Sequence, residues 1–275
     1  MKKIIAALLL SVTFATAQNS FKVEVSGSGA PVLLFPGFAC PGEVWKETVD
    51  RLSKTNECHV FTFAGFGGVA PIDTPWFSTV KNDVMDYIKH KDLASPTLIG
   101  HSLGGTLGLW LASEGPGRFK KVIVIDGLPG AIALMNPMHK KGDVIPYDSP
   151  QSKSQLEMGD AAFEQMTRQM ASYMSLNKEK HALIAEWMKQ ADRKTYVYGY
   201  VDYLNTDLRD DIEKINIPVV VIGATFPSRE MVEPNYHKQY EKLKGVKFEF
   251  IDHSAHFIMF DQPAALWERI AENIR

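Results

Sequence analysis

Cysteine is nearly absent from this chain: Cys40 and Cys58 are the only two among 275 residues. Two thiols cannot make a disulfide scaffold. Without a histidine-rich neighbourhood they also make a poor zinc site, and no metal is expected. Cys40 follows the apolar run 32–35, and Cys58 precedes the run 59–63. If those runs are neighbouring parallel strands, the thiols lie at opposite edges of the sheet, too far apart to bridge. A dense basic run is missing too. The 30 basic and 32 acidic side chains leave a net charge of −2, which argues against nucleic acid as a partner. Beyond the first stretch no long apolar segment occurs, so no membrane span is expected in the mature protein. Internal repeats and low-complexity tracts are lacking as well.

What is present begins with residues 1–17, which read as a cleavable signal peptide. Lys2 and Lys3 give a basic start, residues 4–14 are apolar, and Ala15-Thr16-Ala17 supplies a small-residue cleavage pattern before Gln18. The apolar run is short for a bilayer span, and no cysteine stands at the cleavage point to mark a lipoprotein. The expectation is export, to a periplasm or to the exterior. The remainder is long enough for one large α/β domain with an insertion.

Residues 21–25 alternate and read as an edge strand. Continuous apolar runs at 32–35, 59–63, 96–99, 121–125 and 218–222 read as buried parallel strands, with a further strand at 247–251. Helices are expected over 43–52, 77–90, 103–114, 234–243 and 263–274. Alternating strands and helices predict an α/β fold with a doubly wound, mostly parallel sheet. The pattern is interrupted over 131–206, which is methionine-rich and carries amphipathic helical stretches at 161–175 and 178–191. That block reads as a helical cap inserted between core segments 18–130 and 207–275. Thr206 or Asp207 is expected to N-cap a short helix where the core resumes.

Gly100-His101-Ser102-Leu103-Gly104 fits the nucleophile-elbow pattern G-x-S-x-G, between an expected strand and an expected helix. Such a turn holds a serine hydroxyl out from the backbone, and small residues keep the turn uncrowded. Ser102 is therefore the candidate nucleophile. A serine hydroxyl attacks poorly unaided and needs a base within hydrogen-bond reach. His253 and His256 both lie between the last strand and the last helix. His256 is favoured, because the apolar run after it buries the loop and fixes the imidazole; His253 is expected to face solvent. His101 is expected to point away from the site. Acyl transfer also needs donors for an oxyanion. The Leu103 N–H, just after the nucleophile, is one. The Phe38 N–H, in the loop Pro36-Gly37-Phe38-Ala39-Cys40 after the first core strand, is the second.

These motifs together resemble the α/β-hydrolases of the capped, single-domain type, from about residue 21 to the C-terminus. Phe35-Pro36-Gly37-Phe38 with Trp45 resembles the family's oxyanion loop, although Pro36 stands where histidine is commoner. Residues 64–68 resemble its glycine-rich turn, residues 100–104 its elbow, and Ala255-His256-Phe257 its histidine loop. The resemblance implies a serine hydrolase working through an acyl-enzyme, with no metal or organic cofactor and a small-molecule, ester-like substrate. Relatives with an aspartate nucleophile, the haloalkane dehalogenases and epoxide hydrolases, are disfavoured by Ser102. The family's usual acid follows the strand at 218–222, yet residues 223–230 contain no aspartate. Asp126, at the end of strand 121–125, is the preferred acid, since parallel strands present their C-terminal ends on one edge. Glu230 is the alternative.

The cap methionines Met135, Met138, Met158, Met166, Met170, Met174 and Met188, with Tyr173, Trp187, Tyr196, Tyr198 and Tyr200, suit an apolar or aromatic acyl group in a cleft between cap and sheet, the other reading being that they pack the cap helices together. The leading expectation is a carboxylesterase-like enzyme acting on a small to medium apolar ester. Amidase, thioesterase, carbon–carbon hydrolase and perhydrolase activities use the same constellation. A non-catalytic ligand-binding relative is the reading from a different class.

Overall fold

A computed structural model describes residues 20–274 except 137 and 141. The signal peptide expected at residues 1–17 lies outside the described residues. The core begins with β1 (Phe21–Ser26), β2 (Ala30–Phe35), α1 (Lys46–Leu52), β3 (Asn56–Phe63) and α2 (Trp76–His90). It continues through β4 (Thr97–His101), α3 (Leu103–Glu114) and β5 (Lys121–Ile125). Five helices then stand before the next strand: α4 (Ile132–Met135), α5 (Pro150–Leu156), α6 (Asp160–Met174), α7 (His181–Lys189) and α8 (Arg193–Asn205). The chain closes with β6 (Val219–Ala224), α9 (Arg229–Gln239), β7 (Lys247–Ile251), α10 (Ile258–Asp261) and α11 (Pro263–Asn273).

Among the described residues the seven strands form one sheet in the order β1-β3-β2-β4-β5-β6-β7. Only the edge strand β1 runs antiparallel, against β3. This is the mostly parallel, doubly wound α/β architecture that the strand pattern predicts. The inner strands are apolar on both faces because helices cover both faces: Leu33, Leu34, Leu98, Ile99, Val124 and Ile222 are all buried. Helix α3 is buried along nearly its whole length, which explains why it lacks a polar face. It starts directly beyond the end of β4, near the middle of the sheet.

Some local expectations need correction. Helix α9 starts at Arg229 rather than at Pro234, which sits inside it. The earlier turn is held by an Arg229–Glu233 ion pair at 2.7 Å, and the proline removes only the one N–H that would reach the Glu230 carbonyl. Thr206 terminates α8, and Asp207 pairs with Arg209 at 2.7 Å instead of capping a helix. The single 3-10 turn there covers Asp211–Lys214. The stretch 178–191 divides into a 3-10 turn at Lys178–Lys180 and helix α7.

Both cysteines are free and buried. Cys58 lies level with Val32 near the start of β2, whereas Cys40 follows that strand's end. Burial pushes the Cys40 thiol up to about 12 and the Cys58 thiol up to about 11.

Candidate active site

The strand register brings the candidate residues to one edge. His101, the last residue of β4, pairs with Ile125, the last residue of β5. The residues that follow each, Ser102 and Asp126, therefore emerge side by side. The Ser102 N–H donates to the Ile125 carbonyl at 2.9 Å, and the Asp126 N–H to the Ile222 carbonyl at 2.8 Å. Both turns are sharp, with φ of +53° at Ser102 and +47° at Asp126. That left-handed conformation is costly for residues with a Cβ and recurs at functional sites. Gly100 makes the elbow possible: a Cβ there would stand 2.1 Å from the Gly104 carbonyl oxygen.

His256 lies in the loop between β7 and α10. Its Nδ1 is 2.6 Å from Asp126 Oδ2. The other carboxylate oxygen, Oδ1, accepts from the Ala224 N–H at 2.8 Å and from the Tyr236 hydroxyl at 2.5 Å. Burial alone would raise the Asp126 pKa. The His256 hydrogen bond and charge, with Tyr236 and Ala224, outweigh it and hold the carboxyl below its ordinary value. Burial, and then the neighbouring carboxylate, push the Tyr236 hydroxyl well above its ordinary value, so it remains a donor.

The loop carrying His256 is fastened to the helical stretch between β5 and β6. Asp261 accepts from the Ala255 N–H at 2.8 Å and from Ser175 Oγ at 2.6 Å, just past α6. The Phe257 N–H donates to the Met174 carbonyl at 2.8 Å.

Ser102, His256 and Phe38 line one cavity of about 600 Å³ between the sheet edge and the helices that stand between β5 and β6. Its wall includes Met170, Met174, Met188, Tyr196 and Tyr200. Met138, in contrast, is exposed, and the Trp187 ring lies tilted against Phe260 with centroids 5.9 Å apart. The Phe38 ring packs against Tyr196 and Tyr200 of α8, at 5.5 and 5.2 Å. Among the described residues the Phe38 N–H donates no hydrogen bond. The Leu103 N–H is the first of α3 and so has no partner within the helix. Tyr203 of α8 lines the same cavity. No hydrogen bond joins Ser102 to His256 among the described residues; such contacts often close only around a substrate.

The remaining candidates fall elsewhere. Glu230 is exposed on the first turn of α9, and the carboxylate against His256 is that of Asp126. His253 is exposed. His101, expected to point away, lines the cavity instead. Its ring centroid is 4.6 Å from that of His256. Tyr236 and the Ala224 amide, both on Asp126, have no signature in residue spacing. Among the described residues no group of three or more His, Cys, Asp or Glu side chains is placed to hold a metal. No described helix is long and apolar enough to cross a membrane.

A mostly parallel sheet with a serine elbow at the end of a central strand defines a class, and sequence comparison agrees with it. The model of the alpha/beta hydrolase family matches residues 32–269. The chain belongs to the α/β hydrolase family, and hydrolase activity is what its relatives support. It is similar to the non-heme chloroperoxidase CPO-A1 of Kitasatospora aureofaciens, at 23% identity over 84% of this chain and 86% of that one. It is also similar to the pimeloyl-[acyl-carrier protein] methyl ester esterase of Vibrio cholerae, at 21% identity over 90% and 96%. Among solved structures it resembles the esterase EaEST of Exiguobacterium antarcticum. The TM-score there is 0.77, at 18% identity, covering 92% of this chain and 95% of that one.

Proposed function

We propose that this protein is an exported serine hydrolase that cleaves a small to medium apolar carboxylic ester through an acyl-enzyme on Ser102. The observation that carries the reading is the 2.6 Å contact between His256 Nδ1 and Asp126 Oδ2 beside an elbow serine in one cavity. With Nδ1 occupied by the carboxylate, the second ring nitrogen is left to serve as base.

Ser102 Oγ attacks the ester carbonyl carbon while His256 takes its proton. The carbonyl oxygen becomes an oxyanion, held by the Phe38 and Leu103 N–H groups. The intermediate collapses, and His256 returns the proton to the departing alcohol. Water then attacks the acyl-enzyme with His256 again as base, releasing the acid and restoring Ser102. Asp126 fixes the tautomer of His256 and stabilises the imidazolium.

The apolar choice of substrate is supported by the Met170, Met174, Met188, Tyr196 and Tyr200 wall, since thioether and aromatic groups hold apolar bodies without demanding one shape. The cavity's size is in the range that encloses drug-sized molecules, about 300–1,000 Å³. Export rests on the sequence of residues 1–17, with its basic start, apolar run and Ala15-Thr16-Ala17. The test is a series of p-nitrophenyl esters from acetate to palmitate. Turnover should be greatest at butyrate or octanoate, fall at palmitate, and vanish in Ser102→Ala. Unchanged turnover in Ser102→Ala contradicts the reading.

A further inference from the structure

His101 stands next to the proposed nucleophile, yet none of the steps above uses it. It is fully buried at the end of β4. Its Nε2 lies 2.9 Å from the backbone carbonyl oxygen of His256. A carbonyl only accepts, so Nε2 carries the proton. The other nitrogen, Nδ1, is buried with no partner among the described residues. It faces Gly37 of the oxyanion loop: a Cβ at Gly37 would come within 2.8 Å of His101 Nδ1 and 3.3 Å of Ser102 Cβ. A second proton on Nδ1 would thus have no acceptor. The ring is wedged between His256, at 4.6 Å, and Phe257, at 5.1 Å.

We infer that His101 is a positioning residue for His256: its Nε2–H on the His256 carbonyl and its ring against the His256 ring fix the base relative to Ser102. This rests on the Ser102–His256 reading above. The two loops that must meet are separated by 155 positions in the chain. One hydrogen bond joins the elbow directly to the histidine loop. Because His101 and Ser102 are consecutive on a rigid strand end, whatever holds His101 against His256 also sets the distance from Ser102. Neutrality matters here, since a charged ring at this spacing would oppose the imidazolium that His256 must become. Burial first, and then the His256 ring, push the His101 pKa down to about 3, so the ring stays neutral through the working range.

The test is the second-order rate of phosphonylation by a fluorophosphonate probe, which reads serine activation without any chosen substrate. It is measured on the full chain as wild type, Ser102→Ala, His101→Gln and His101→Leu, with thermal melts alongside. Gln keeps an N–H donor near the Nε2 position, and Leu keeps bulk without a donor. His101→Leu should react at least about tenfold more slowly, and His101→Gln within about threefold of wild type, since sub-ångström misplacement is costly in rate. Nitrogen-15 NMR of the wild type should show the His101 ring neutral and protonated at Nε2 down to about pH 4. Leu reacting at the wild-type rate overturns the inference. So does Gln reacting no faster than Leu, or a His101 ring protonated at Nδ1. If the Leu variant does not fold, the Gln rate and the wild-type ring signals decide between the same outcomes. Labelling of Ser102→Ala at the wild-type rate would instead defeat the underlying serine-hydrolase reading.

Discussion

Asp126 and His256, 130 positions apart in the chain, meet at 2.6 Å through Oδ2 and Nδ1. The contact is possible because Asp126 leaves β5 in register with the serine that leaves β4. The neighbouring strand β6 adds a backbone N–H, from Ala224, to the same carboxylate. Asp126→Asn should therefore cut turnover by at least about a hundredfold, as loss of an orienting acid does in serine proteases, while Glu230→Gln should change it by less than about tenfold. Steady-state kinetics of the two variants check this. An inactive Glu230→Gln beside an active Asp126→Asn contradicts it.

His256→Ala should be as inactive as Ser102→Ala, because the three groups act as a unit. His253→Ala should keep most of its activity, since His253 is exposed and its backbone carbonyl, rather than its ring, accepts from Gln262 at 3.0 Å. Ester hydrolysis by the two variants separates the histidines.

Tyr236→Phe removes a buried donor 2.5 Å from Asp126 Oδ1 and leaves the ring packed on Phe250 at 5.5 Å. Deleting one partner of a buried hydrogen bond costs roughly 1–3 kcal/mol. Urea unfolding at neutral pH should show that loss, and turnover should fall less than in Asp126→Asn because the carboxylate survives.

Acid should destabilise the protein in two stages. The unfolded chain protonates His101 as the pH falls below 6.5, whereas the folded ring resists until about 3. The stability this provides is fully present above pH 6.5 and is lost progressively between those values, at no more than about 1.4 kcal/mol per pH unit. The Asp126 carboxyl is held below its ordinary 3.8, so its contribution is present above that value and lost as the pH falls further. Unfolding free energies from pH 7 to 3 should show a flatter upper stage in His101→Gln and an unaltered stage below about pH 4. Identical slopes for wild type and variant above pH 4 would contradict this account.

The buried strands were readable because parallel strands covered on both faces must be continuously apolar, as at Val122 to Ile125. Helix α3 was readable as the segment Leu103 to Glu114, and an apolar strand before it and a helix after it are the context that marks G-x-S-x-G as an elbow. The same logic placed Asp126 at the edge that carries Ser102. What escaped the sequence depends on tertiary contact. The direction of the His101 ring is set by a carbonyl 155 positions away. Tyr236 donates to an Asp126 carboxylate oxygen 110 positions before it, a pairing that no local spacing announces. Asp207 looked like a cap, yet Arg209, two residues on, takes both of its carboxylate oxygens.

The central claim is that Ser102 carries the acyl group, and trapping the adduct tests it most directly. The purified protein is reacted with a fluorophosphonate or quenched during turnover of a slow p-nitrophenyl ester, digested, and mapped by mass spectrometry. The account predicts one stoichiometric adduct, on the peptide holding Gly100-His101-Ser102-Leu103-Gly104, and none in Ser102→Ala. An adduct on any other residue, or full ester turnover by Ser102→Ala, would contradict it.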